Sequence, residues 1–153
     1  ITLAIGDRPY VTSETVIGSE FLERSDPAAL VIGPTGLGLA SNGTLYVADS
    51  LNNRIAGIPD ALERDGSDGT GFTVARGGAL NDPLGLAIAP NGDILTVNGN
   101  DGNIVETTPA GRQIVVETID AGGAGTLFGL AVAPHGSGLY YVDDGMNRLF
   151  LLH

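Results

Sequence analysis

The feature that most constrains this chain is an internal repeat. Three stretches align. The first runs Pro34–Gly43, Thr44–Asp49 and Asn53-Arg54-Ile55. The second runs Pro83–Gly92, Asp93–Asn98 and Gly102-Asn103-Ile104. The third runs Leu127–Gly136, Leu139–Asp143 and Asn147-Arg148-Leu149. The equivalent glycines Gly36, Gly85 and Gly129 lie 49 and 44 residues apart. A period of about 40–50 residues belongs to propeller blades or helical arrays.

Local chemistry selects between the two. Each copy opens with an apolar run rich in Gly and Ala and reaches a turn at Asn42-Gly43, Asn91-Gly92 or His135-Gly136. Asn-Gly signals a tight hairpin, because both central residues accept positive φ. A second run follows, carrying Tyr46 and Val47 or Tyr140, Tyr141 and Val142. After four small or polar residues a third strand is predicted from Arg54, Asn103 or Arg148. Fourth runs follow at Phe72–Ala75 and Gln113–Thr118. This is an antiparallel four-stranded meander, repeated, with apolar residues on both strand faces as stacked sheets require. Gly36, Gly38, Ala40, Gly85, Ala87, Ala89, Gly129, Ala131 and Ala133 supply small side chains where innermost strands converge. The expected fold is therefore all-β, a partial β-propeller of about three to three and a half blades, half of a six-bladed ring. A β-sandwich with coincidental repetition is the weaker alternative.

The predicted organisation is a partial or degenerate blade and connector over residues 1–33, then blades at 34–82, 83–126 and 127–153, the last incomplete. In the first part, Leu3-Ala4-Ile5 echoes an inner strand, Tyr10-Val11 a second strand and Ala28–Ile32 a fourth. Leu22–Asp26 and Leu62–Asp65 read as short helical turns or loop insertions, with Pro59 where a first helical turn tolerates it. A ring needs about 4–8 blades, and the third copy stops at Leu149–His153, within its third strand. Its unpaired edge invites another chain. The expected partner is a second copy, giving a six-bladed ring under a two-fold axis, or the missing propeller half. The first residue is Ile1, which reads as a processed form or a piece of something longer.

Charge excludes several classes of function. The 153 residues carry 18 carboxylates against 7 cations, all of them Arg, for a net charge of −11. That balance provides no cationic stripe for nucleic acid and disfavours an anionic membrane surface. No apolar stretch approaches a membrane span. With no Cys, disulfides, thiol chemistry and thiolate zinc sites are excluded. The expectation is a soluble protein of unassigned compartment, with a periplasmic or secreted location as the guess.

Candidate polar residues cluster after the second strand of each copy: Asp49, Asn52, Asn53 and Arg54; Asn98 and Asp101; Asp143, Asp144 and Arg148. Asp49/Arg54 and Asp143/Arg148 face each other across a hairpin, as structural ion pairs do. An exposed pair of this kind contributes about 0.2–1 kcal/mol. In the second copy both members become Asn, at Asn98 and Asn103. Because the corners are equivalent, their residues share one face of the ring and make the binding candidates there; a structural role is favoured over catalysis. Oxygen ligands suit Ca²⁺, but corners lie outside the channel and far apart, so no metal or other cofactor is expected. Asp65–Gly71 lacks calcium-loop spacing and reads as a flexible acidic loop.

These motifs resemble the NHL-repeat family of β-propellers. Gly36-Leu37, Asn42-Gly43, Leu45–Ser50 and Asn52–Ile55 carry the likeness; the third copy repeats it and the second is degenerate. The resemblance spans Pro34 to the C-terminus and implies fold more than function, since such propellers serve as lyases, RNA binders and protein-binding platforms. A more distant similarity links the chain to the gluconolactonase and senescence-marker-protein family of six-bladed metal hydrolases. That family places an Asn or Asp before the Gly-Leu pair, where this chain has Thr35, Leu84 and Phe128. The His clusters of NHL-type lyases have no counterpart beyond His135 and His153. The sequence thus points to a non-enzymatic binding or assembly module, for a protein or small-molecule ligand. The competing reading is part of a metal-dependent hydrolase or lyase with ligands outside this chain.

Overall fold

The computed structural model describes residues 2–4, 10–27 and 30–153. Two short hairpins lead the chain. β1 (Thr2–Ala4) pairs with β2 (Tyr10–Ser13), and β3 (Arg24–Asp26) pairs with β4 (Leu30–Ile32). Blade 1 is a meander of β5 (Pro34–Leu39), β6 (Leu45–Asp49), β7 (Arg54–Ile58) and β8 (Phe72–Arg76). Blade 2 repeats it with β9 (Pro83–Ile88), β10 (Ile94–Asn98), β11 (Asn103–Thr107) and β12 (Gln113–Thr118). Blade 3 holds three strands, β13 (Leu127–Val132), β14 (Leu139–Asp143) and β15 (Arg148–Leu152). The expected all-β partial propeller is what the chain forms: unclosed, about half of a six-bladed ring.

The inner strands explain the small residues. β9 lies between β5 and β13, and the three backbones nearly touch. A Cβ on Gly36 would overlap the Leu84 carbonyl oxygen and the Leu86 amide, and one on Gly85 the Phe128 carbonyl oxygen. Outward from this seam the strands diverge and larger residues fill the wedge. Tyr46, Ala48, Ile55, Ala75 and Leu80 of blade 1 and its connector meet Leu86, Ile94 and Val105 of blade 2. Blade 2 meets blade 3 through Ala87, Val97, Ile104, Leu127, Leu139 and Tyr141. There the Tyr141 ring stacks on Phe150 at 5.0 Å. The opposite face of blade 1, with Val47, Ala56 and Ile58, is packed by Ile17 and Phe21.

Three local expectations are corrected. The Asn-Gly turns are not two-residue turns with both φ positive. Ala40 N–H donates to the Thr44 carbonyl and Gly43 N–H to the Ala40 carbonyl, and of the pair only Gly43 takes positive φ, at 84°. Asn42 instead uses its Oδ1 to accept the Thr44 N–H, making a three-residue loop of the type-I-plus-glycine kind. Leu22–Asp26 and Leu62–Asp65 are not helical. Arg24–Asp26 is extended in β3, and the second segment is a loop, the other of the two readings, entered by a turn in which Glu63 N–H donates to the Asp60 carbonyl. The acidic loop is anchored rather than free: Asp68 N–H donates to the Ile17 carbonyl, Ser19 N–H to the Gly69 carbonyl, and Arg64 pairs with Asp68 at 3.0 Å. Of the expected strand at 28–32, Ala28 and Ala29 lie outside the described residues, as does Ile5 of the inner-strand echo.

The seam yields a prediction. Gly85→Ala forces the Phe128 backbone away from β9 and lowers stability by about 1–3 kcal/mol, the range for overpacking. Gly66→Ala, where a Cβ meets no neighbour and φ is not positive, separates that loss from the general effect of a Gly-to-Ala change when both are measured by urea denaturation.

Candidate functional site

The corner between the second and third strands of each blade carries the polar clusters. In blade 1 the corner is a 3₁₀ turn over Ser50–Asn52, closed by Asn53 at φ 48°. Asp49 sits at the end of β6 and is 0 % exposed. Its Oδ2 accepts Arg54 Nε at 2.7 Å, and both its oxygens accept Asn52 Nδ2, at 3.1 and 3.0 Å. The pair is therefore buried, not the exposed pair expected from sequence. Arg54 is 4 % exposed because β8 covers it: Nη1 donates to Thr73 Oγ1 at 2.9 Å and Nη2 to the Thr70 carbonyl at 2.8 Å. A buried pair stands or falls with such added bonds, since desolvation opposes the Coulomb attraction.

Blade 2 has not simply lost its charge. The carboxylate and the amide have exchanged places. Asn98, at the Asp49 position, donates from Nδ2 to Asp101 Oδ2 at 3.3 Å, and Asp101 stands at the Asn52 position. Both also bind the connector from blade 1. Asn98 Nδ2 donates to the Ala79 carbonyl at 2.8 Å, Asn98 Oδ1 accepts Asn81 N–H at 3.1 Å, and Asp101 Oδ2 accepts Asn81 Nδ2 at 3.0 Å. Asn53 grips the same connector from the other side, through the Leu80 carbonyl at 2.8 Å and the Asp82 N–H at 3.0 Å. Asn103, at the Arg54 position, accepts the Thr118 hydroxyl of the fourth strand at 2.7 Å. The exchange was readable from the spacing of Asp101, once the two corners are laid over each other.

Blade 3 breaks the pattern. Asp143 is 1 % exposed; its Oδ1 accepts Met146 N–H at 2.9 Å, while its Oδ2 has no partner. Met146 stands where blade 1 has Asn52. Arg148 lies across the ladder from Asp143 in register but is exposed, and among the described residues it forms no ion pair. Asp144 is exposed beside it, its N–H donating to the Thr126 carbonyl at 2.7 Å. Of the nine candidates, Asp144 and Arg148 face solvent; the other seven are partly or wholly buried.

Sequence reading missed Asp120, the anchor of the connector into blade 3. Its Oδ1 accepts Gly122 N–H at 2.7 Å and its Oδ2 accepts the Thr126 hydroxyl. The Thr126 bond first, then the Gly122 bond, hold its carboxyl below the ordinary aspartate range, against opposition from burial. The Tyr141 phenol is pushed up, mainly by burial and then by the charges of Asp143 and Asp120.

The channel side carries little chemistry. Thr35, Leu84 and Phe128 line the innermost groove with the three glycines, and the Thr35 hydroxyl donates to the Leu84 carbonyl at 2.8 Å. His135 sits at φ 61° in an exposed turn. Among the described residues no three His, Asp or Glu side chains gather as a metal site would need, and no helix is long and apolar enough to cross a membrane.

No protein-family model matches the sequence, and no curated protein matches it. Solved structures do resemble the fold. A selenomethionine-substituted virginiamycin B lyase from Staphylococcus aureus aligns over 78% of this chain and 38% of its own, at 19% identity and TM-score 0.62. A regucalcin from Agrobacterium tumefaciens, described as calcium-binding, aligns over 78% and 45%, at 19% identity and TM-score 0.60. A putative gluconolactonase aligns over 78% and 38%, at 20% identity and TM-score 0.59. The chain thus spans less than half the length of these proteins. What they share with it is the fold, a distant and partial likeness to six-bladed propellers of the gluconolactonase and senescence-marker type.

Two predictions follow from the corners. Met146→Asn supplies the amide that Asp143 lacks and raises stability by about 1.5 kcal/mol, as a bond to a charged acceptor does; a urea midpoint that does not rise would refute the assignment. Thr126→Val removes the main cause of the lowered Asp120 pKa. A depressed carboxyl stabilises above its unfolded value and loses that contribution as pH falls through the folded one. The wild type therefore exceeds Thr126→Val in stability at about pH 6, and the gap closes toward about pH 2 in parallel denaturation curves.

Proposed function

We propose that this chain is a non-enzymatic propeller segment of the NHL type, working as a binding and assembly module whose ring is completed by other polypeptide, either a second copy or the missing half. The observation that carries this reading is the pair of apolar end faces. On blade 3, Tyr140, Val142, Leu149 and Leu151 form one face, paired across β14 and β15, and are 37–69% exposed. On blade 1, Leu37 and Leu39 are 59% and 46% exposed beside the patch that Ile17 and Phe21 cover. Sheets built with two apolar faces need a neighbour on each side, and patches of this kind mark interaction surfaces. The exposed corner residues Asp144 and, while blade 3 lacks a fourth strand, Arg148, with the corner positions of the other blades on the same rim, are the proposed ligand-facing positions.

The competing reading takes its chemistry from the neighbours, two of them named as a lyase and a putative gluconolactonase. It places every essential ligand on polypeptide outside these three blades. Two measurements decide. Sedimentation of the chain across a wide concentration range is expected to show a discrete closed oligomer, or a one-to-one complex when the missing half is supplied. Tyr140→Asp combined with Leu149→Glu, at exposed positions, abolishes that association and leaves the monomer folded by circular dichroism. A monomer at all concentrations that ignores the added half overturns the proposal. Tightly held stoichiometric Ca²⁺ or Zn²⁺ in the completed ring favours the hydrolase or lyase instead.

A further inference from the structure

Blade 3 holds a buried carboxylate oxygen without a partner and, directly across the ladder, a cation left in water. Blade 1 shows what seats that cation. Of the three bonds that hold the Arg54 guanidinium, one comes from Asp49 and two from the fourth strand and its approach, the Thr73 hydroxyl and the Thr70 carbonyl. Blade 2 uses a fourth-strand hydroxyl at the same place, where Thr118 meets Asn103. In blade 3 the described strands end with β15, whose one partner is β14. Burying a guanidinium with most of its N–H groups unpaired is unfavourable, so Arg148 stays exposed and Asp143 Oδ2 stays orphaned.

We propose that the outer edge of β15 is a strand-addition site, that its occupant is an extended polypeptide segment bearing a Ser or Thr hydroxyl, and that its docking swings Arg148 onto Asp143. This rests on the incomplete-propeller reading and specifies the chemistry of what completes blade 3. The edge provides main-chain hydrogen bonds for any strand, and the Arg148–Asp143 pair sets the register. A slip of one residue turns the hydroxyl to the opposite face and leaves the guanidinium unseated. The same chemistry argues against β15 of a second copy as the occupant. That strand reads Arg-Leu-Phe-Leu-Leu, which brings no hydroxyl.

The test uses a synthetic peptide with the sequence of Gly69–Gly78, the segment that seats Arg54 in blade 1, titrated into the chain by calorimetry. Side-chain NMR of the arginine Nε–H groups is followed alongside. Saturable one-to-one binding is expected, with slowed exchange of the Arg148 Nε–H. Valine at the Thr73 position of the peptide weakens binding about tenfold, the scale of one hydrogen bond to a charged group. Arg148→Gln, an exposed change that leaves the fold intact, and Asp143→Asn each weaken it similarly. The peptide change then costs little further on Arg148→Gln. Binding that is indifferent to all three changes overturns the latch while leaving the incomplete propeller standing. Failure of the peptide to bind, or its exclusion by self-association through β15, overturns the site itself. The end-face substitutions above judge the incomplete ring separately, since they leave β15's main-chain edge and Arg148 in place.

Discussion

The structure depends on one constraint: each sheet is apolar on both faces and must be covered twice. Blade 2 meets this over its inner strands, where Ile94, Val97 and Val105 are wholly buried, while Ile114, Val115 and Val116 of β12 stay exposed. Each such side chain adds about 1.5–3 kcal/mol when removed from water. Blade 1 meets the constraint in part. Its connector and blade 2 cover one face, while the anchored segment around Ile17 and Phe21 covers only the outer half of the other. Blade 3 meets it on one side. Burial thus falls off from the middle of the chain toward both ends of the arc, which is how a stack of repeats behaves when its neighbours are missing.

The stack in turn requires close inner strands and fixed connectors. Glycine satisfies the first requirement, because β5, β9 and β13 approach so nearly that a methyl group would strike backbone. The polar corners satisfy the second. Asn53 and Asn98 reach the same connector from adjacent blades, so the corner of one blade sets the entry of the next. The exchange of Asp49 and Asn52 for Asn98 and Asp101 shows what the corner conserves in physical terms. In blades 1 and 2 a carboxylate and an amide meet across the turn, and either position supplies either group. This is the behaviour of a structural staple, whose energy depends on the pairing and not on which end carries the charge.

Much of this was legible in the sequence because repetition is read by comparison. Gly36, Gly85 and Gly129 fixed the period, and the alternation of small and large residues fixed the inner strands. What escaped was set by tertiary covering. Asp49 and Arg54 read as an exposed hairpin pair, since nothing local reveals that β8 folds over the guanidinium from Thr70 and Thr73. Asp120 escaped because its role lies in a glycine-rich connector without periodicity. The Asn-Gly turns were mistyped because Asn42 and Asn91 hydrogen-bond two residues ahead through their side chains, an option that competes with left-handed backbone at Asn.

The distribution of polar groups bears on where chemistry resides in the completed ring. At the three inner-strand entries the available side chains are one hydroxyl, already donated to a neighbouring carbonyl, one leucine and one phenylalanine. These positions close the seam between blades; they present no acid, base or ligand toward the axis. Asp49, Asp101 and Asp120 are instead placed at corners and connectors, where each accepts hydrogen bonds from a turn amide, a side-chain amide, a hydroxyl or a neighbouring cation. Asp143 alone, among the described corner carboxylates, has a buried oxygen left over. A group that is buried, charged and half-satisfied is unfavourable in isolation. Its presence in an otherwise paired series is understandable as the half of a staple whose other half arrives with the next strand.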